Sequence, residues 1–248
     1  MFKVKATVVD FLGDEDKYPC HFQHKIGDEF IWDGEKFIGR ICPSVMPLLI
    51  PKMNALWAAG PRFVDPMYYV PFWYAPVSAR DPSLKKYDGL GFRNILETYI
   101  ESQYHMANLA PAEAWNWPPH EARTIVREQT VICPDPRTSA VLKLEAFDLS
   151  DKGFDVPFYR RQMTILSKVL PKQDIKVDKI LNEFSKEQIE GIYPALSPIM
   201  VQVLVEELEL MGYLEIKNGR AYVTKKGEEK LKNFQAGLSE EEKEALGI

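Results

Sequence analysis

Three cysteines and a histidine are the residues of this chain whose types could together do soft-metal chemistry. Cys20 and His24 lie in Pro19-Cys20-His21-Phe22-Gln23-His24, and the tripeptide Ile-Cys-Pro occurs twice, at Ile41-Cys42-Pro43 and Ile132-Cys133-Pro134. Thiolate and imidazole donors suit zinc or, with altered ligation, an iron–sulfur centre; three sulfurs and one nitrogen would fill a closed tetrahedral zinc site. An open coordination position would permit catalysis, with His21 or Asp135 as the nearby acid–base group. No Cys-x2-Cys knuckle is present, so gathering these ligands falls to the fold and not to local spacing. Three buried free cysteines beside a surface histidine are the plainer alternative, because cysteine is a common small core residue. A third reading pairs a low-pKa cysteine nucleophile with His24, although no oxyanion motif or glycine-rich turn accompanies it. The Asp28-Glu29 pair after Gly27 could supply a carboxylate to a site, but it reads first as a turn entering a strand.

The elements that must position these residues follow from the pattern. Lys3–Val9 alternates as a strand, and Glu29-Phe30-Ile31-Trp32 runs as a strand into an Asp33-Gly34 turn. Apolar residues recur at helical spacing from Ser44 to Ala59, with Ser44 as cap, Pro47 in the first turn and Pro51 as a kink, before Gly60-Pro61 ends the helix. Strand texture returns at Glu128–Cys133 and Ala140–Leu144. The intervening stretch, about 61–127, reads as an aromatic and proline-rich insertion, so the chain leaves the first domain and comes back to finish its sheet. Tyr68, Trp73, Trp115 and Trp117, with His105 and His120 as polar contacts, could wall a pocket for a flat small molecule and fold over the cysteines as a lid. Anchoring of a stiff loop, or a self-association surface, is the competing use of those aromatics.

Residues 150–248 form a second unit. Helices are expected at Phe158–Leu170, Val177–Phe184 and Pro198–Met211, then a hairpin with Asn218-Gly219 at its tip, then a helix at Lys225–Ala236. The acidic tail opening at Ser239 reads as a short capped helix.

Two resemblances accompany these patterns. Cys20, then His24-Lys25-Ile26-Gly27-Asp28-Glu29-Phe30, Ile41-Cys42-Pro43 and Cys133-Pro134-Asp135 resemble a family of short, uncharacterised prokaryotic proteins over about residues 3–60 and 128–147. That likeness implies a small α+β fold and a cysteine–histidine site, without a reaction. Leu208-Glu209-Leu210-Met211-Gly212-Tyr213-Leu214 and Tyr222-Val223-Thr224-Lys225-Lys226-Gly227 resemble winged-helix domains of bacterial regulators. A winged helix that reads DNA would use Gln202 on its third helix, Arg220 at the hairpin tip, and Lys225 and Lys226. The third helix carries no lysine or arginine but Glu206, Glu207 and Glu209, which would approach phosphate with the wrong sign. Protein docking or dimerisation is therefore the favoured use, and nucleic acid the disfavoured one.

Composition bounds the rest. The 248 residues, 46% hydrophobic and 27% charged with net charge −5, are those of a globular protein long enough for a real core. No apolar run approaches the roughly 20 residues needed to cross a bilayer, and the start shows no signal-peptide pattern, so a cytoplasmic location without membrane partners is expected. The odd cysteine count there disfavours a disulfide framework. No phosphate-binding loop, dinucleotide fingerprint or hydrolase elbow occurs, so no nucleotide cofactor is expected. The expectation is an α+β domain at 1–149 with its insertion, followed by a winged-helix domain at 150–248. Its function would be metal binding, extending to metal-dependent chemistry on a small organic substrate, an aromatic one included, with the winged helix serving homo-oligomeric assembly. The alternative is a ligand- or redox-responsive transcriptional regulator.

Overall fold

The computed structural model describes residues 1–13, 15–63, 65–66, 125–126, 129–135 and 138–248. The architecture is mixed α and β. A five-stranded antiparallel sheet is built from β1 (Phe2–Leu12), β2 (Glu29–Trp32), β3 (Phe37–Ile38), β6 (Gln129–Ile132) and β7 (Ser139–Leu149), in the order β3-β2-β1-β7-β6. Along β1 the alternation is plain: Val4, Ala6 and Val8 are buried, while Lys3, Lys5 and Thr7 face outward. A register shift against β7 between Val8 and Asp10 leaves Val9 exposed and returns Phe11 to the core, as a β-bulge does.

The strands that finish the sheet come after the long intervening stretch, as the pattern predicts. Its two ends meet in a short antiparallel pair, β4 (Asp65–Pro66) with β5 (Ile125–Val126). Helix α1 (Met46–Ala59) packs across one face of the sheet through Leu49, Met53 and Leu56, spaced three and four apart. Its start differs from expectation. Val45 occupies the cap position with no side-chain hydrogen bond, and Ser44 is left exposed at the mouth of a cavity. Pro47 in the first turn does the work of starting the helix, since its fixed φ is already helical and the amide it lacks would have no partner there. After the helix, Gly60 has φ +61°, and a Cβ there would come within 2.5 Å of the Phe2 ring. Only glycine satisfies both demands.

The second half is a helical layer against a small sheet. Helix α2 (Val156–Val169) is buried on most sides and central to the cluster. A 3₁₀ helix at Val177–Glu183 stands where an α-helix was expected, and it is followed by the short α3 (Lys186–Glu190), which the pattern did not suggest and which Ser185 and Gln188 close with a capping box. Then come α4 (Pro198–Leu210), the strands β9 (Leu214–Lys217) and β10 (Arg220–Val223), α5 (Lys225–Ala236) and α6 (Glu240–Leu246). The β9–β10 hairpin turns at Asn218 and Gly219, with φ of +53° and +73°, the signs a type I′ turn needs. β8 (Ile175–Lys176) adds a third strand, giving the order β8-β10-β9. The tail helix α6 is capped by Ser239 and Glu242 and buries Leu246.

Several contacts join the halves. Phe2 and Leu149, from β1 and β7, lie in the second hydrophobic cluster. Asp148 accepts from the Tyr213 hydroxyl and from Lys230 Nζ at 2.7 Å, and Trp57 Nε1 donates to the buried Asp155 at 2.7 Å. Glu207, far from facing outward, is buried on α4, where it accepts from Gln162 Nε2 and pairs with Arg62. Glu206 is also occupied by Arg62. Among the described residues no helix is long and apolar enough to cross a membrane.

Candidate functional site

The four predicted donors converge on one cavity. Cys20, His24, Cys42 and Cys133 all line a space of about 330 Å³, together with His21 and Asp135. They come from three connections at one end of the sheet. Cys20 and His24 lie between β1 and β2, Cys42 just before α1, and Cys133 directly after β6. The sequence folds this way for local reasons. The Cys20 carbonyl accepts from Gln23 N at 2.8 Å, and Gln23 adopts φ +58°, so the chain turns back and returns His24 to the interior. The Cys42 carbonyl accepts from Val45 N at 3.1 Å, seating that cysteine at the entry to α1. The N–H of Cys133 extends the ladder to Ala140 O at 2.8 Å. Thr138, itself buried, donates to Tyr18 O at 2.5 Å and ties the third connection to the first.

His24 is the best-defined member. It is 5% exposed, its ring packed against Phe22 at a tilt and Phe30 edge-on, with centroids 4.9 and 5.1 Å away. Nδ1 lies 3.1 Å from Asp28 Oδ2, whereas Nε2 is buried with no hydrogen-bond partner. Buried polar nitrogens are almost always satisfied, so an unpartnered one on a cavity wall needs a reason. Asp28 takes a second bond from Lys25 N at 3.0 Å; that bond is the largest influence on its carboxyl, burial opposes it, and the pairing with His24 adds to it, so the carboxyl lies below the usual range.

The thiols are sheltered. Cys20 and Cys133 are buried and Cys42 is half-buried. Burial pushes the Cys133 thiol up, and the nearby Cys42 adds to that; the N–H groups of Asp135 and Ala140, donating to the sulfur, pull the other way. A raised thiol pKa is the opposite of what a free nucleophile requires, so the nucleophile reading loses ground at this position. Amide N–H groups aimed at sulfur suit a thiolate whose proton a metal has displaced.

The cavity does not present a finished coordination shell. Among the described residues, no three His, Cys, Asp or Glu side chains form a group that could hold a metal ion as they stand. The rest of the wall is apolar apart from Ser44, made by Val8, Phe22, Val45, Pro134, Ala140 and Leu142. A volume of this size sits at the small end of ligand pockets, which run from about 300 to 1,000 Å³.

Other expected site residues fall elsewhere. Tyr68, Trp73, His105, Trp115, Trp117 and His120 lie outside the described residues. Gln202 and Lys225 are exposed on the second half, remote in sequence from the cysteines. Arg220 is engaged by Asp174, donating to its carbonyl at 2.6 Å and to its carboxylate at 3.0 Å. Lys226 donates to Met211 O at 2.7 Å, at the end of α4, and lies 4.7 Å from the centre of the Tyr213 ring. Asp28 is the contributor that composition and motif left in second place. Its spacing of four from His24 is the signal that marks it. The chain matches no family model, no curated protein and no solved structure.

Proposed function

We propose that this protein binds a soft divalent metal, zinc above all, through Cys20, His24, Cys42 and Cys133, in a cavity with room for a small organic ligand. The observation that carries this reading is the unpartnered, buried Nε2 of His24 on the wall of a cavity that three thiols also line. Thiols reach alternative positions by rotation about χ1 between staggered wells, the movement that gathering the sulfurs around an ion would call for. When bound, zinc would deprotonate the thiols and, if one position stayed open, could activate a water or polarise a ligand carbonyl. His21 and Asp135, on the same wall, are the groups placed to exchange a proton with such a ligand. The test is anaerobic elemental analysis and an absorption spectrum of untagged protein, followed by cobalt substitution. About one equivalent of zinc, and intense thiolate-to-cobalt bands, are expected. Iron with visible sulfide bands would replace zinc by a cluster, and metal-free protein that takes up neither ion would end the proposal.

For the second half, the reading is a winged helix used for self-association. The order α2, α3, α4, hairpin, α5, with a three-stranded antiparallel sheet, supports that fold. The outer side of α4 carries Ile199 and Val203, with Ile199 75% exposed, where a DNA reader would carry cations. Two of the candidate DNA contacts, Arg220 and Lys226, are already held within the protein. Light scattering should give a dimer that Ile199→Glu converts to monomer. A wild-type monomer that binds its upstream DNA tightly and with salt sensitivity would instead make it a metal-responsive regulator.

A further inference from the structure

The geometry points to Asp28 as the positioning residue of this centre: by accepting from Nδ1 it presets His24, a residue lining the cavity, with a bare and unpartnered Nε2 lone pair, making His24 the ligand already in place before an ion arrives. The inference rests on the metal reading above and adds to it which ligand is preorganised and by what.

The ring has little freedom to do otherwise. Phe22 packs against it at a tilt and Phe30 edge-on, and the residue is buried, so little of the ring meets bulk water. Neutral imidazole carries one proton, and a carboxylate beside Nδ1 draws it there. Asp28 is itself fixed. Its carboxylate takes the Lys25 N–H at 3.0 Å, and its own N–H donates to Lys25 O at 3.0 Å. Gly27 makes the turn with φ +93°, its N–H donates to Val8 O at 2.8 Å, and Val8 N donates to Asp28 O at 2.9 Å. The Asp28 backbone is thus pinned to β1, whose Val8 also lines the cavity. A carboxylate–imidazole pair of this kind orients a metal-binding histidine and raises its basicity; losing the outer partner usually weakens metal binding about 10- to 100-fold.

The experiment uses the full chain with Asp28→Ala, Asp28→Asn and His24→Ala. Nitrogen-15 spectra of the metal-free protein should show the His24 proton on Nδ1 in the wild type and on Nε2, or shared, in Asp28→Ala. Cobalt and zinc titrations should show Asp28→Ala about 10- to 100-fold weaker, with the cobalt bands unchanged in position, because the four ligands are the same. Asp28→Asn, which keeps an acceptor oxygen but not the charge, should fall between, and it serves as the readable variant if the alanine form does not fold. His24→Ala should move the cobalt bands. A wild-type proton on Nε2, or an Asp28→Ala protein that binds as tightly as wild type, overturns the role of Asp28 while the metal reading stands. A wild type that takes up no metal overturns both.

Discussion

Cys133→Ser is expected to weaken zinc binding about 100-fold or more while leaving the metal-free fold almost as stable as the wild type. The first half of that expectation comes from sharing a structural zinc affinity of roughly 10–16 kcal/mol among four ligands, which assigns each a share worth about two to three powers of ten. The second half comes from the site. Serine is close to cysteine in size and fits the same buried position at the end of β6. A cysteine that merely fills core space predicts the reverse pattern: a modest loss of stability and no change in metal content. Calorimetric zinc titration beside urea denaturation of the metal-free proteins separates the two. Equal zinc affinity in the variant would remove Cys133 from the ligand set.

Arg161→Met should cost at least about 3 kcal/mol of folding stability, the largest effect expected outside the cavity. Arg161 is fully buried on α2. Its guanidinium donates to Pro194 O at 2.8 Å, Gln188 O at 2.6 Å and Ile189 O at 3.3 Å, and also to Ile192 O. Two of these carbonyls belong to the last turn of α3, where no helical N–H remains to serve them. Methionine fills much of the same volume but removes the donor from the Pro194, Gln188 and Ile192 oxygens, while Ile189 O keeps the Leu196 N–H at 3.0 Å. Arg161→Lys should recover only part of the loss, because an ammonium cannot fan out over four acceptors as a planar guanidinium does. The check is the shift in urea midpoint at unchanged slope. A Met variant within about 0.5 kcal/mol of wild type would mean that water reaches these carbonyls.

Legibility from sequence divides by range. Strands β1, β2, β6 and β7, helices α1, α2, α4 and α5, and the Asn218-Gly219 turn were readable because periodicity and turn chemistry act over a few neighbouring residues. The Ser239 cap was readable for the same reason. Arg161 was not, since a charged residue within a helical pattern reads as solvent-facing until its carbonyl partners are known. Glu207 misled in the same way: it suggested an acidic outer face, whereas it is buried against Gln162 and Arg62. The types of the site residues were legible, and their meeting in one cavity was not, because three separate connections must first be laid side by side by the sheet. His24–Asp28 sat between these cases. Its spacing was visible, but the turn that brings the carboxylate to Nδ1 depends on Gly27 and on Val8 of another strand.

The β4–β5 pair has a consequence for altering the chain. Because Asp65 and Pro66 lie alongside Val126 and Ile125, the polypeptide departs and re-enters through adjoining points. Joining two such points with flexible chain costs only about 0.6 kcal/mol more for each doubling of the joined length. This doorway is therefore where a shortened or lengthened connection should be tolerated, with the five-stranded sheet and the cysteines left in place.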